Sequence, residues 1–145
     1  MDGFNFSTPL RVRAADLDYR GHVSNAAVLE MFQESRIGYL ANLGGYQELN
    51  IGNHCGIIQR EAHVHFTHEM LLGDELQIGV KVTGMRKTGF VMTYQIEKNG
   101  KVMAEGTTLL FAFDYEARKL RRLPTLFQKD IEKFEGLQLT SACEN

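Results

Sequence analysis

Residues 26–43 carry side chains that recur at the spacing of an α-helix. The positions on one face are Val28, Phe32, Ser35, Tyr39 and Leu43. Intervals of three and four residues are typical of a helix with one buried stripe. Ser24 or Asn25 is a good N-cap for this helix, and the Gly44-Gly45 pair predicts its end. Because the stripe is wide, we expect the helix to be covered over much of its circumference.

The second half of the chain alternates between apolar and polar residues, which predicts antiparallel strands with one buried face. The four predicted strands are Ile58–Thr67, Glu75–Thr83, Phe90–Glu97 and Val102–Tyr115. The Asn99-Gly100 pair between the last two predicts a type I′ hairpin turn, since both residues tolerate positive φ. A short extended run at Leu10–Arg13, expected to begin at or after Pro9, adds a fifth strand.

Phe127, Ile131 and Phe134 follow at helical spacing and predict a short C-terminal helix. Residues 136–145 are expected to fray. The order of elements is strand, long helix, four strands and short helix. It predicts an α+β fold in a single domain, 1–145, with a core over about residues 6–127. In this fold an antiparallel sheet of about five strands wraps around the one long helix.

Composition narrows the class of protein. The 145 residues suffice for one domain with a hydrophobic core, and a net charge of -2 offers no basic surface for nucleic acid or an acidic membrane. No apolar run reaches the ~18 residues of a membrane span, and the N-terminus lacks the blocks of a signal peptide. Cys55 and Cys143 form no paired motif, so we expect reduced thiols in a cytoplasmic protein.

The candidate chemistry lies in residues 16–25, where two aspartates, a glycine and a histidine lead into the long helix. A helix N-terminus presents unpaired N–H groups and a partial positive charge. A carboxylate such as Asp18 beside those donors could attack a carbonyl carbon while they stabilise the oxyanion. Asp18 could equally cap a turn. His22 could orient Asp18 or a water, or make a structural hydrogen bond.

The other carboxylates of this region are expected to be structural. Asp16 is a candidate partner for Arg13 or Arg36. Glu30 and Glu34 on the helix are fallback catalytic carboxylates, although a surface position or an ion pair of Glu34 with Arg36 is the favoured interpretation.

Two further groups of residues are weaker candidates. His63 and His65 form a His-x-His pair on one strand face, with His68 beyond, but no convincing third ligand accompanies them and we predict no metal site. Arg118, Lys119, Arg121 and Arg122 form a basic cluster that could bind a nucleotide or simply be solvated. The chain has no G-x-S-x-G, GxGxxG or Walker motif.

The order of elements and the loop motif resemble those of the hotdog-fold acyl-CoA thioesterases, and most closely the 4-hydroxybenzoyl-CoA thioesterase family. The resemblance rests on the D-x-D-x-x-G-h-V pattern within Arg13–Asn25, continued through Glu34-Ser35-Arg36. Leu71–Leu76 also resembles the family's Gly-Asp turn. The likeness covers roughly Leu10 to Leu126.

This resemblance implies roles for named residues. Asp18 would be the catalytic carboxylate, as nucleophile or as general base, and the backbone N–H near Asn25 would bind the thioester oxygen. The acyl group would pass near Tyr19, Arg20 and Val28, which depart from the family pattern. Basic residues in the turn after the third strand, Arg86 and Lys87, would contact the phosphates of coenzyme A.

The resemblance further implies a homodimer or homotetramer with active sites at the subunit interface, and long strands such as Val102–Tyr115 could pair across subunits. The predicted function is hydrolysis of acyl-CoA thioesters without metal or redox cofactor, coenzyme A entering as part of the substrate. A thioesterase acting on acyl carrier protein and a non-catalytic binder of acyl or aromatic ligands on the same fold remain alternatives. A hotdog dehydratase matches the loop less well.

Overall fold

The structure is a computed structural model that describes residues 1–136, and its long helix lies against one antiparallel sheet. The elements are β1 (Ser7–Arg11), α1 (Asn25–Gly44), β2 (Gly56–Phe66), β3 (Glu75–Met85), β4 (Gly89–Lys98), β5 (Lys101–Asp114), β6 (Lys119–Leu120) and α2 (Thr125–Glu135). The strands lie in the order β1-β3-β4-β5-β2, and the short β6 pairs with the end of β5. The predicted α+β architecture is confirmed, with six strands instead of about five.

The two edges of the sheet differ from what the sequence suggested. β1 begins at Ser7 and contains Pro9, which pairs with Gln77 of β3. Proline is tolerated there because an edge strand leaves one side of its backbone unpaired. β5 lies between β4 and β2, so the expected pairing across subunits through Val102–Tyr115 is wrong, since the chain's own strands occupy both edges of β5. Among the described residues, the edges of the sheet are formed by β1 and β2.

Other local predictions are confirmed. Asn99 and Gly100 have φ values of 52° and 79°, as a type I′ turn requires. The C-terminal helix α2 packs on α1 and on the loop after it through tyrosine hydroxyls: Tyr39 of α1 donates to Glu135 over 2.7 Å, and Tyr46 of the loop donates to Asp130. The predicted fraying of residues 136–145 falls on Gly136, which caps α2, and otherwise lies outside the described residues, as does Cys143.

α1 buries one face and leaves the other in solvent. Its buried residues are Ala27, Val28, Met31, Phe32, Ser35, Arg36, Tyr39 and Leu40. Leu29 and Ile37, on the opposite side, are 38% and 50% exposed. The expectation that the helix is covered over much of its circumference is therefore wrong for a single chain, because positions i, i+1, i+4 and i+5 define one face.

The helix is held on the sheet by an aromatic contact over a glycine. The ring of Phe32 stacks on Tyr94 of β4, with centroids 4.4 Å apart and planes 8° from parallel. A Cβ on Gly106 of β5 would lie 2.9 Å from the Phe32 ring and 2.3 Å from the carbonyl oxygen of His63. Arg36, one turn further along α1, donates to the Tyr94 hydroxyl over 2.9 Å. These contacts fix the height and rotation of α1 on the sheet.

We expect Gly106→Ala to lower the free energy of unfolding by about 2 kcal/mol or more, because the added methyl group must displace the Phe32 ring and a strand carbonyl. Chemical denaturation would measure the change. Thr107→Ala, next to it on the face away from α1, is the matched control and should stay within about 0.5 kcal/mol of wild type. Equal stability of Gly106→Ala and wild type would contradict the close contact.

Candidate active site

The loop between β1 and α1 folds as a small hairpin. Asp18 N–H donates to the carbonyl of His22 over 3.1 Å, and Ser24 N–H donates to the carbonyl of Asp16 over 2.9 Å. The turn closes with a 3.0 Å hydrogen bond from Gly21 N–H to the carbonyl of Asp18. Gly21 has a φ of 84°, a conformation that glycine adopts without steric cost. The sequence of the turn therefore fixes where Asp18 lies.

This hairpin is anchored to the connection between β2 and β3. Val23 N–H donates to the carbonyl of Met70 over 2.9 Å, and His22 forms a β-bridge with Leu71. On the other side of the same connection, Gly73 N–H donates to the carbonyl of Val12 over 3.0 Å. The Gly73-Asp74 turn that the sequence singles out thus contacts the backbone just before the hairpin.

The N-terminus of α1 leaves two backbone donors unused. Ser24, one of the two predicted candidates, is the N-cap: its hydroxyl oxygen accepts from Ala27 N–H over 3.0 Å, and its carbonyl accepts from Val28 N–H. The N–H groups of Asn25 and Ala26 have no acceptor among residues 1–136. Such groups, together with the helix dipole, favour negative charge.

A cavity of about 200 Å³ lies at this helix end. Its lining residues are Arg20, His22, Val23, Asn25, Val28, Phe66, Thr67, His68, Glu69 and Met70. Val23, Val28 and Met70 are buried and give it an apolar floor. At the rim, His22 Nε2 lies 3.4 Å from a carboxylate oxygen of Glu69. The cavity can therefore accept an apolar group whose polar atom faces the helix N-terminus.

Asp18 lies next to the cavity but does not line it. Its Oδ1 accepts from the backbone N–H of Arg20 over 2.9 Å, and its Oδ2 accepts from Arg20 Nε and Nη2 over 3.0 and 2.6 Å. These bonds from Arg20 lower the pKa of the Asp18 carboxyl below its usual value, so it is ionised at neutral pH. The backbone contact is an Asx turn, the structural role that the sequence left open.

The ion pairs of this region differ in part from those expected. Asp16 is buried and pairs with Arg13, one of its two predicted partners, over 3.1 Å. Glu34 also pairs with Arg13, over 2.9 Å, so its expected pairing with Arg36 is wrong. The Arg36 guanidinium instead contacts Glu48, in the loop after α1, because its side chain points into the core.

Three candidate side chains lie outside the cavity. Tyr19 is at the tip of the hairpin and is 96% exposed. Glu30 and Glu34 are on the exposed face of α1, away from the free N–H groups of its first turn. Among the described residues of one chain, none of these three side chains lines the cavity.

Arg86 and Lys87 lie at the opposite end of the sheet from the hairpin. β3 has 11 residues and starts beside Arg11, so its far end is roughly 30 Å away at about 3.3 Å per residue. Within one chain, these cations therefore cannot contact a small group that is bound at the N-terminus of α1. The Lys87 carbonyl accepts a backbone hydrogen bond from Leu123 over 2.9 Å, which brings the second basic cluster, residues 118–122, to the same end.

Comparison with known proteins identifies the family. Residues 12–131 match the model of the thioesterase-like superfamily. The chain belongs to the thioesterase-like superfamily. This membership, over most of the chain, confirms the predicted hotdog-type fold and the predicted class of activity, thioester hydrolysis.

Individual relatives of this superfamily member are distant in sequence. It is 24% identical over 128 residues to the long-chain acyl-CoA thioesterase FadM of Escherichia coli K12, covering 87% of this chain and 96% of FadM. A Thermus thermophilus thioesterase solved with coenzyme A and Zn matches with a TM-score of 0.81 and 28% identity, over 96% of this chain and 100% of that one. A 1,4-dihydroxy-2-naphthoyl-CoA thioesterase from Synechocystis matches with a TM-score of 0.77 and 22% identity, over 87% of this chain and 94% of that one. This likeness shows the fold.

The superfamily member offers no evident metal ligands in its described part. Within residues 1–136, no group of three or more His, Cys, Asp and Glu side chains is placed to hold a metal ion. His63 and His65 lie on the face of β2 that points away from α1, opposite Thr107 and Glu105 of β5. No helix in this part of the chain is long and apolar enough to span a bilayer.

Sequence reasoning placed Arg20 near the path of the acyl group but missed its ion pair with Asp18, and it did not place Phe66–Met70 at the cavity. The ion pair was detectable in principle, since the side chain of an arginine two residues after an aspartate in a turn can fold back onto the carboxylate. The segment 66–70 carries no local signal, because the backbone bond between Val23 and Met70 that positions it joins residues far apart in the chain.

Proposed function

We propose that this thioesterase-superfamily protein hydrolyses acyl-CoA thioesters at the N-terminus of α1. The observation that carries the proposal is the pair of unused N–H groups at the start of α1, on Asn25, which lines a cavity with an apolar floor, and on Ala26 next to it. The FadM likeness and the coenzyme A bound by the Thermus thioesterase support an acyl-CoA substrate. Acyl carrier protein remains an alternative donor of the acyl group.

The reaction needs a negative charge to be stabilised as it forms. When a nucleophile attacks the thioester carbon, charge develops on the carbonyl oxygen, and the N–H groups of Asn25 and Ala26 are the donors available to it. The acyl group then lies against the apolar floor of the cavity, of which Val28 is part. The proposed reaction uses no metal or redox cofactor. Coenzyme A enters as part of the substrate and departs as the leaving group.

Asp18 supplies the attack in one of two ways. As a nucleophile, a carboxylate oxygen bonds to the thioester carbon, the C–S bond breaks, and water later cleaves the resulting anhydride. As a general base, the carboxylate takes a proton from water while the water oxygen attacks, and the proton passes to the departing thiolate. Both end in free acid and coenzyme A, and His22 at the rim could orient the water.

A second copy of the chain would complete the site. β2 leaves one edge unpaired along 11 residues among those described, and an open strand edge favours pairing with another strand. Arg86 and Lys87 could contact the coenzyme A phosphates only from a second copy, because their own chain holds them far from Asp18.

Light scattering should therefore give a mass of two or four times the 16.4 kDa chain, whereas an active monomer would contradict this assembly. A cytoplasmic location stays a prediction from the sequence.

We expect Asp18→Asn to reduce kcat/KM for acyl-CoA esters at least a hundredfold, about 2.7 kcal/mol of barrier, because the amide neither attacks nor accepts a proton. Thiol release from short, long and aromatic esters measures it, with enzyme-only blanks because the chain's own cysteines can react with the reagent. Glu30→Gln, an exposed carboxylate on α1, is the matched control and should keep wild-type activity.

The other outcomes are equally informative. An active Asp18→Asn protein would contradict the assignment of Asp18, and a loss in Glu30→Gln or Glu34→Gln instead would move the chemistry onto the helix. Absence of turnover with every ester, but turnover with acyl carrier protein, would contradict the acyl-CoA substrate.

A further inference from the structure

Arg20 connects the Asp18 carboxylate to the cavity. Its guanidinium donates twice to Asp18 Oδ2, and its own backbone N–H donates to Oδ1. The same residue lines the cavity beside Asn25 and Val28. Both oxygens of Asp18 are thus held by one neighbour, and that neighbour is itself a cavity residue.

The charges around this pair leave Arg20 as the dominant partner of Asp18. A positive charge on His22 would also attract the Asp18 carboxylate. The His22 ring, however, lies against Glu69 of the β2–β3 connection. Glu69 faces Arg20 as well, without a direct ion pair between them. Tyr19 projects into solvent from the tip of the hairpin. The orientation of the Asp18 side chain therefore depends mainly on Arg20.

We propose that Arg20 is a positioning residue, whose guanidinium holds the Asp18 carboxylate beside the cavity in one orientation. This inference rests on the proposed function and deepens it. Without the guanidinium, Asp18 keeps only the Asx-turn bond to the backbone of residue 20, and its second oxygen is free to rotate into solvent. A nucleophile or base that is fixed beforehand does not lose that freedom during reaction, which is a large part of the advantage of an enzymic site.

The planar guanidinium suits this role better than an ammonium group. It reaches Asp18 through two nitrogens of one rigid group, whereas a lysine would offer a single point charge on a flexible stem. Arg20→Lys should therefore keep the charge but lose part of the orientation. Arg20→Gln removes both.

The test compares Arg20→Gln, Arg20→Lys and Arg11→Gln with wild type. Arg11 forms an exposed ion pair with Glu75 over 3.7 Å, on β1 and outside the cavity, so Arg11→Gln matches the loss of one surface arginine. Thermal unfolding of each variant checks that the fold is retained. The measured quantities are kcat and KM for one acyl-CoA ester across pH, and the titration of the Asp18 carboxyl carbon by NMR.

We expect Arg20→Gln to lower kcat about tenfold or more with little change in KM. Because Arg20 holds the pKa of Asp18 down, its loss should move the acidic limb of kcat/KM, and the NMR titration of Asp18, to higher pH. Arg20→Lys should recover part of kcat, and Arg11→Gln should match wild type in every quantity.

Two results would overturn the inference: an Arg20→Gln protein with wild-type kcat and an unmoved titration of Asp18, or a loss confined to KM, which would make Arg20 a contact for substrate. The Asp18→Asn assay separates this failure from that of the proposed function. If Asp18→Asn is inactive and Arg20→Gln is not impaired, only the role of Arg20 falls. If Asp18→Asn is fully active, both fall.

Discussion

The stacking of Phe32 on Tyr94, in close contact with Gly106, is the interaction on which the rest of the structure depends. It sets the distance between α1 and the middle of the sheet, and Arg36 fixes the rotation of the helix by bonding to the Tyr94 hydroxyl. A different rotation would remove Val28 from the apolar floor of the cavity and carry the first turn of α1 away from the β2–β3 connection. The position of the candidate site is thus a consequence of packing further along the same helix.

The site itself joins two weak local features into one arrangement. A hairpin holds a carboxylate, and a helix begins directly after the hairpin closes. The N-cap Ser24 satisfies Ala27 and leaves the first two amides free, so the same residue that starts the helix also leaves it able to bind an oxyanion. The backbone bond between Val23 and Met70 then adds the wall that makes the cavity. This combination suits a thioester, whose hydrolysis needs attack and charge stabilisation at one carbon.

Local patterns in the sequence predicted most of the fold. Alternation indicated the four long strands, Asn99-Gly100 indicated the hairpin between the last two, and Ser24 and Gly45 bound the long helix. Contacts between distant residues were not predictable in the same way. The pairing of Arg13 with Glu34 and of Arg36 with Glu48, and the wall at Phe66–Met70, depend on how elements pack, and spacing along the chain carries no signal for that. The inclusion of Pro9 in β1 likewise depends on the strand being an edge.

The most direct test of the account is a backbone-amide NMR titration of the protein with a non-hydrolysable acyl-CoA analogue that keeps the carbonyl group but separates it from sulfur by a methylene group. If the carbonyl oxygen binds at the start of α1, the resonances of Asn25 and Ala26 should move most, together with those of the Asp16–His22 hairpin. Saturable shifts at His63, His65, Thr93 and Gln95, on the outer face of the sheet, with Asn25 and Ala26 unmoved, would contradict the account.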